Sequence, residues 1–160
     1  MNTTATPPIK PGVKKILAVA SGGGHWVQLL RLRPAFEGHD VAYVTVQPSY
    51  ASQVPGQRFY AVCDATRWSR WDLVKMVFQV TAAVLRERPD VVVTTGAAPG
   101  VVALRIGKLL GARTVWLDSI ANVEQMSMSG QRVRGFADLW LTQWPHLEAT
   151  DGPRCKGSVL

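Results

Sequence analysis

Cysteine is scarce in this chain. Cys63 and Cys155 lie far apart and form no C-x-x-C pair, which excludes a zinc ribbon and a disulfide framework and fits a reducing compartment. Long apolar runs are also missing. No charge-free stretch of about 18 apolar residues occurs to span a bilayer, and the amino-terminal residues hold no apolar signal-peptide core, so neither an integral membrane protein nor a secreted one is expected. Acidic residues are outnumbered, eleven Asp and Glu against eighteen Lys and Arg, and the resulting charge of +7 favours an anionic partner: nucleic acid, an anionic membrane surface or a phosphorylated substrate. The basic residues are scattered, with no run of five, and come with neither zinc spacing nor a recognition-helix pattern, so nucleic acid is not an expected partner.

What is present centres on Lys14 to His25. Ile16 to Ala20 is an apolar run of strand length, Ser21-Gly22-Gly23-Gly24-His25 follows, and Trp26 to Leu32 carries apolar residues at helical spacing. Glycines let a backbone take positive φ and bring bare N–H groups against a ligand, while a helix start adds unpaired donors and the positive end of its dipole. Phosphate or diphosphate suits such a turn. A dinucleotide fingerprint is excluded, because the third glycine position is Val27 and no acid ends the second strand near Thr45-Val46-Gln47. A nucleotide-triphosphate loop is excluded too, since no Lys-Ser or Lys-Thr follows the glycines. An ordinary tight turn is the plain alternative, but three consecutive glycines followed by a histidine exceed its needs. His25 stands at the mouth of this anion site, where an imidazole can exchange a proton near neutral pH.

The 160 residues suit one domain, large enough to bury about two-thirds of its unfolded surface. Residues 1–12, rich in Thr and Pro, are expected to be a disordered tail before a domain over 13–160. Further strands are expected at Val41–Val46, Arg58–Val62, Asp90–Thr95, Arg113–Leu117 and Asp138–Thr142, with a terminal one at Gly157–Leu160. The spacing predicts helices over Trp71–Glu87, stopped by Pro89, and over Val101–Leu110 after the small-residue turn Gly96–Gly100. In the first of these, Trp71, Val74, Val77, Phe78, Thr81, Ala82 and Leu85 recur at three and four as a core-facing stripe; alternatively Trp68, Trp71, Lys75 and Phe78 form a basic, aromatic membrane-facing element. A loop with a short helix covers Ala121–Arg134. Alternating strands and helices imply a doubly wound α/β fold, a Rossmann-like parallel sheet covered on both faces, with ligands at the carboxyl ends of its strands. Ser21 to His25, Thr94 to Gly100, Asp118-Ser119 and Gln143-Trp144 all fall on that edge.

Four pieces in this order, Ser21-Gly22-Gly23-Gly24-His25, Thr95-Gly96-Ala97-Ala98-Pro99-Gly100, Asp118-Ser119 with Ser127-Met128-Ser129-Gly130, and Asp138 to Gln143-Trp144-Pro145, resemble the asparagine-linked glycosylation protein fourteen family over roughly Lys14 to Trp144. Bacterial relatives in that family serve capsule and exopolysaccharide synthesis. The resemblance implies the N-terminal half of a GT-B glycosyltransferase split between two polypeptides. This half would hold a lipid-diphosphate-linked sugar acceptor at the cytoplasmic face of a membrane, and a partner subunit would hold most of the UDP-sugar site. N-acetylglucosamine is the sugar implied by the family, with glucuronate or galactose among its bacterial relatives. The glycine loop is also similar to the loop of the peptidoglycan N-acetylglucosaminyltransferase that lies against a lipid diphosphate.

Carried onto this chain, the resemblance makes His25 the candidate general base, with Asp118 a competitor for that role. It makes Ser21, Gly22, Gly23, Gly24, Thr95, Gly96, Gly100 and Ser119 the contacts of the acceptor diphosphate. Two departures stand out. Eukaryotic members begin with a membrane helix where this chain has a short polar tail, so peripheral attachment is expected. The usual Glu-Ser is Asp118-Ser119 here, and the family's final tyrosine-glycine appears as Lys156-Gly157. No D-x-D carboxylate pair occurs, so neither a metal nor a cofactor is expected. The rival from another class is a noncatalytic anchoring or enhancer module for a partner glycosyltransferase.

Overall fold

The computed structural model describes residues 12–65 and 69–159. The expected tail, apart from Gly12, lies outside the described residues, as does Trp68 of the expected aromatic element. Strands β1 (Lys15–Val19), β2 (Asp40–Thr45), β3 (Arg58–Ala61), β4 (Val91–Thr94), β5 (Arg113–Leu117), β6 (Leu139–Thr142) and β7 (Arg154–Cys155) pair in the order β3-β2-β1-β4-β5-β6-β7, every described pair parallel. The helices are α1 (Gly24–Arg31), α2 (Arg70–Glu87), α3 (Ala97–Leu109) and the short α4 (Met128–Arg132). This is the expected doubly wound sheet.

Period-two alternation along β1 divides the core. Ile16, Ala18 and Ala20 join Trp26 and Leu29 of α1 on one face, while Leu17 and Val19 join Met76, Val80 and Val84 of α2 and Ala103 and Leu104 of α3 on the other. Strand order reverses between β1 and β4, which lie side by side with Val19 opposite Thr94. A crevice opens at such a reversal because the connections on either side leave in opposite directions. At the far edge, Arg58 on β3 binds Asp40 at 2.8 Å and Glu87 at 2.9 Å, and the Tyr60 hydroxyl donates to Glu87 at 2.5 Å. Burial and that carboxylate push the Tyr60 hydroxyl up to about 12.

Three expectations need correction. The stripe Trp71, Val74, Val77, Phe78 and Leu85 points outward, with Trp71 85% and Phe78 74% exposed, whereas Met76, Val80, Ala83 and Val84 form the buried face. The helix is apolar on two opposite sides, so hydrophobic periodicity fits both and cannot tell which one faces the sheet. The terminal strand is Arg154–Cys155 rather than Gly157–Leu160, for Gly157 takes φ +110° and leaves the extended line. Helix α1 starts at Gly24 and α3 at Ala97, earlier than their apolar periodicity suggests. Small residues, and a proline whose missing N–H would have no partner in a first turn, are compatible with a helix start that carries no apolar signal.

Candidate functional site

Two helix starts flank the strand-order reversal, and both are capped by glycine with no side-chain capping bond. Gly23 precedes α1 at φ +61°, and Gly96 precedes α3 at φ +135°, values that favour glycine. Gly23 and Gly24 are exposed, and the Gly23 N–H donates to the Tyr50 hydroxyl at 3.2 Å. Tyr50 is itself held by stacking on buried Trp26, with ring centroids 5.1 Å apart.

His25 is the second residue of α1. Its Nδ1 lies 3.0 Å from Ser21 Oγ, and its backbone carbonyl accepts the Thr95 hydroxyl at 2.6 Å. Burial pushes its pKa below the ordinary imidazole value, and the Asp118 carboxylate opposes that push without reversing it. The ring is therefore neutral at pH 7, the state in which an imidazole can accept a proton.

Asp118 directly follows β5 and is 2% exposed. Its Oδ1 accepts from Ser127 Oγ at 2.6 Å and Trp116 Nε1 at 3.1 Å; its Oδ2 accepts from Ser127 N at 2.7 Å and Asn122 Nδ2 at 3.3 Å. Four donors match the roughly four lone-pair positions of a carboxylate. The side chain thus ties the segment 122–127 back to β5. Gly130 is required there, since a Cβ on it would sit 2.9 Å from Asp118 Oδ1.

Next to Asp118, the Ser119 hydroxyl accepts from Gln28 Nε2 at 3.2 Å. Buried Gln28 also accepts from Ile120 N at 3.0 Å and from Gln143 Nε2 at 2.5 Å, while Gln143 donates to the Asp118 carbonyl at 2.9 Å. One amide network therefore joins α1, the end of β5 and the end of β6. It fixes the helix start against the opposite wall of the crevice.

Between these walls lies an open cavity of about 440 Å³, within the range of small-molecule sites. His25 and Ala97 line it from the two helix starts, and Ser119, Asn122, Gln125, Met126, Ser127, Met128, Ser129 and Gln131 line it from the loop and α4. Ala97 holds φ +66°, a left-handed conformation unusual for a residue with a side chain. Of the residues nominated from the sequence, His25 and Ser119 line the cavity; Ser21 bonds the His25 ring, and Gly22, Gly23, Gly24 and Gly96 flank the helix starts without lining it. Thr95 is buried behind His25, and Asp118 is buried behind Ser127. Gly100 sits in the first turn of α3, where a Cβ would lie 2.2 Å from Thr94 Oγ1, so close helix-to-strand packing accounts for it. Sequence reasoning passed over Tyr50, Gln28 and the wall residues Asn122, Gln125, Met126 and Gln131. The Ser127 to Gly130 pattern after Asp118-Ser119 was the signal that could have found the wall.

The family model described as "Oligosaccharide biosynthesis protein Alg14 like" matches residues 40–156. The UDP-N-acetylglucosamine transferase subunit ALG14 of Eremothecium gossypii is 28% identical over 84% of this chain and 74% of that protein, and its Yarrowia lipolytica counterpart is 25% identical over 83% and 74%. The mouse protein of the same name is 39% identical over 41% of this chain and 33% of its own length. Among solved structures, MurG of Acinetobacter baumannii superposes with a TM-score of 0.70 at 15% identity, covering 91% of this chain and 46% of MurG. UDP-N-acetylglucosamine 2-epimerase from Rickettsia bellii gives 0.66 at 14%, covering 92% and 45%. These likenesses concern the fold, and the chain spans just under half the length of either solved structure.

Proposed function

The chain belongs to the Alg14-like family of oligosaccharide-biosynthesis proteins, and on that premise we propose that it is the acceptor-binding subunit of a UDP-N-acetylglucosamine transferase, acting on a lipid-diphosphate-linked sugar. The observation that carries this reading is the convergence, at one crevice, of two glycine-capped helix starts, a half-buried histidine and a cavity large enough for a sugar. Backbone N–H groups of the Gly22–Gly24 turn hold the acceptor diphosphate, which the start of α1 attracts through its dipole. The named relatives, subunits of such a transferase, support both the reaction and the need for a partner polypeptide carrying the UDP-sugar.

In the proposed reaction the acceptor hydroxyl loses its proton to His25 as its oxygen bonds to the anomeric carbon of the donor sugar. The bond from that carbon to the nucleotide diphosphate breaks, and UDP leaves with the electron pair. A positioned base of this kind is worth about 10²–10⁴ in rate. His25 is favoured over Asp118 because the carboxylate is buried and its lone pairs are occupied by four donors. Asp118 is assigned instead to holding the cavity wall.

Membrane attachment is proposed through α2. No described helix is long and apolar enough to cross a bilayer, but the exposed face of α2 carries Trp71, Val74, Phe78 and Leu85, with Arg70, Lys75 and Arg86 also exposed. Apolar burial plus attraction to anionic headgroups suits a helix lying in the interface of a cytoplasmic membrane face.

The test is a tagged pull-down from the native cell's membrane fraction, followed by a transfer assay with UDP-N-acetylglucosamine and a prenyl-diphosphate-linked sugar. Recovery of a UDP-sugar-binding α/β partner that transfers only with this chain present is the expected result. Transfer undiminished by His25→Ala would move this chain to the anchoring or enhancer role, and transfer by the partner alone would overturn the reading.

A further inference from the structure

We propose that Ser21 and Gly96 are positioning residues for His25: Ser21 Oγ accepts a hydrogen bond from Nδ1–H, so that the ring keeps the Nε2 lone pair free, and Gly96 leaves the space in which the Nε2 edge of the ring lies. This rests on the reading of His25 as the base, but gives both residues a task other than holding diphosphate.

Residues 21 and 25 meet because the three glycines reverse the chain between the end of β1 and the start of α1. Their backbones are anchored from the strands on either side of β1. On β2, the Thr45 hydroxyl donates to the Ser21 carbonyl at 2.9 Å; beyond β4, the Thr95 hydroxyl donates to the His25 carbonyl at 2.6 Å. These anchors bring Ser21 Oγ and His25 Nδ1 to 3.0 Å.

A serine hydroxyl beside an imidazole nitrogen can donate or accept, and the direction of the bond selects the tautomer. If Nδ1–H donates to Ser21, Nε2 keeps its lone pair. That bond also survives catalysis unchanged, because Nδ1 bears a hydrogen in both the neutral ring and the imidazolium formed when Nε2 takes the acceptor proton. If Ser21 donated instead, Nε2 would already be protonated and the ring could not act as a base there. Among the described residues Nε2 has no hydrogen-bond partner, as suits a nitrogen left for substrate.

Gly96 completes the arrangement. A Cβ at this position would stand 2.7 Å from His25 Cδ2 and 2.8 Å from Nε2, well inside van der Waals contact. The ring edge therefore occupies the volume that a side chain on residue 96 would fill. Any larger residue must push the ring away from its place.

The direct measurement is the nitrogen NMR spectrum of ¹⁵N-labelled histidine in the full chain. A neutral histidine in water favours the Nε2–H form, so a His25 signal from the Nδ1–H form is the expected and distinguishing result. Ser21→Ala should return the signal towards the Nε2–H form, and Ser21→Thr, which keeps the hydroxyl, should restore Nδ1–H. In the assembled transferase, Ser21→Ala should lower kcat about ten- to hundredfold with KM for the acceptor little changed, as expected for one hydrogen bond to a group that becomes charged. Gly96→Ala should shift the His25 ring resonances; where that variant does not fold, the Ser21 pair decides alone. Nitrogen shifts that are the same in wild type and Ser21→Ala would overturn the positioning role whatever the activity does. A tautomer change with transfer insensitive to His25→Ala would overturn the base reading and leave the positioning in place.

Discussion

The Thr95 hydroxyl donates to the backbone carbonyl of His25 at 2.6 Å, and this bond joins the two connections that part at the reversal of strand order. It grips the main chain and leaves the imidazole free. Truncating His25 to alanine should therefore spare the fold, since the half-buried ring is held by one side-chain bond while the helix start is anchored through its backbone. Transfer by the assembled complex should fall about 10²–10⁴-fold. Circular dichroism and a thermal melt on the same variant check that the loss is chemical.

Acidity should act on the same residue twice. Burial lowers the pKa of His25, so the group remains a competent base below pH 6.5, its ordinary value, and the acid limb of kcat/KM should inflect below that pH. Stability follows the opposite side of the same linkage. The unfolded chain takes up this proton more readily than the folded one, so the folded state loses stability as pH falls from about 6.5 towards the lowered folded value. His25→Ala removes that dependence. Melting midpoints at pH 7.5 and pH 5 should show the wild type losing more on acidification than the variant; an equal loss would mean that the ring is not desolvated.

Asp118→Asn keeps size and removes charge. The amide can accept at only one atom, so its NH₂ must face one of the donors now paired with Asp118, either Ser127 and Trp116 at Oδ1 or Ser127 N and Asn122 at Oδ2. A lost buried bond to a charged group costs about 1.5–3 kcal/mol. Hydrogen exchange at the amides of residues 122–131 should quicken in the variant, and activity should fall along with that loosening. Activity lost while those amides keep their protection would return Asp118 to the base role.

Much of this was legible in the sequence, and the exceptions have physical causes. Strands β1, β2, β4 and β5 announce themselves because a parallel sheet covered on both faces needs continuous apolar runs. His25 and Ser119, which line the cavity, were legible as candidates because glycine turns and strand ends are places where chemistry gathers. The amide relay of Gln28 and Gln143 was not, because glutamines carry no periodic signal and become informative only when folding brings α1 beside the end of β6. Tyr50 was hidden likewise, because it sits in the Pro48–Gln53 turn, where nothing in the sequence signals that its ring stacks on Trp26. For Gly100 the glycine was legible but its close packing on Thr94 was not, since that contact is a tertiary fact.

The outward face of α2 gives the remaining prediction. Trp71 and Phe78 are 85% and 74% exposed, so replacing either with serine removes little folded-state packing and should leave the melting temperature nearly unchanged. Each ring would bury about 150–250 Å² on full insertion into a membrane; at about 25 cal/mol per Å², half-insertion is worth about 2 kcal/mol, or roughly thirtyfold in affinity. Binding to anionic vesicles should therefore weaken by about that factor for each substitution, and further with Arg70→Glu and Lys75→Glu. Met76→Ala, on the opposite face and fully buried, supplies the contrast: it should cost about 2–5 kcal/mol in stability and leave vesicle binding by the folded protein intact. Vesicle binding that ignores Trp71, Phe78 and the two charges would mean that α2 meets a protein surface rather than lipid, because an interface helix cannot lose its apolar anchors and its basic residues together without loosening its hold.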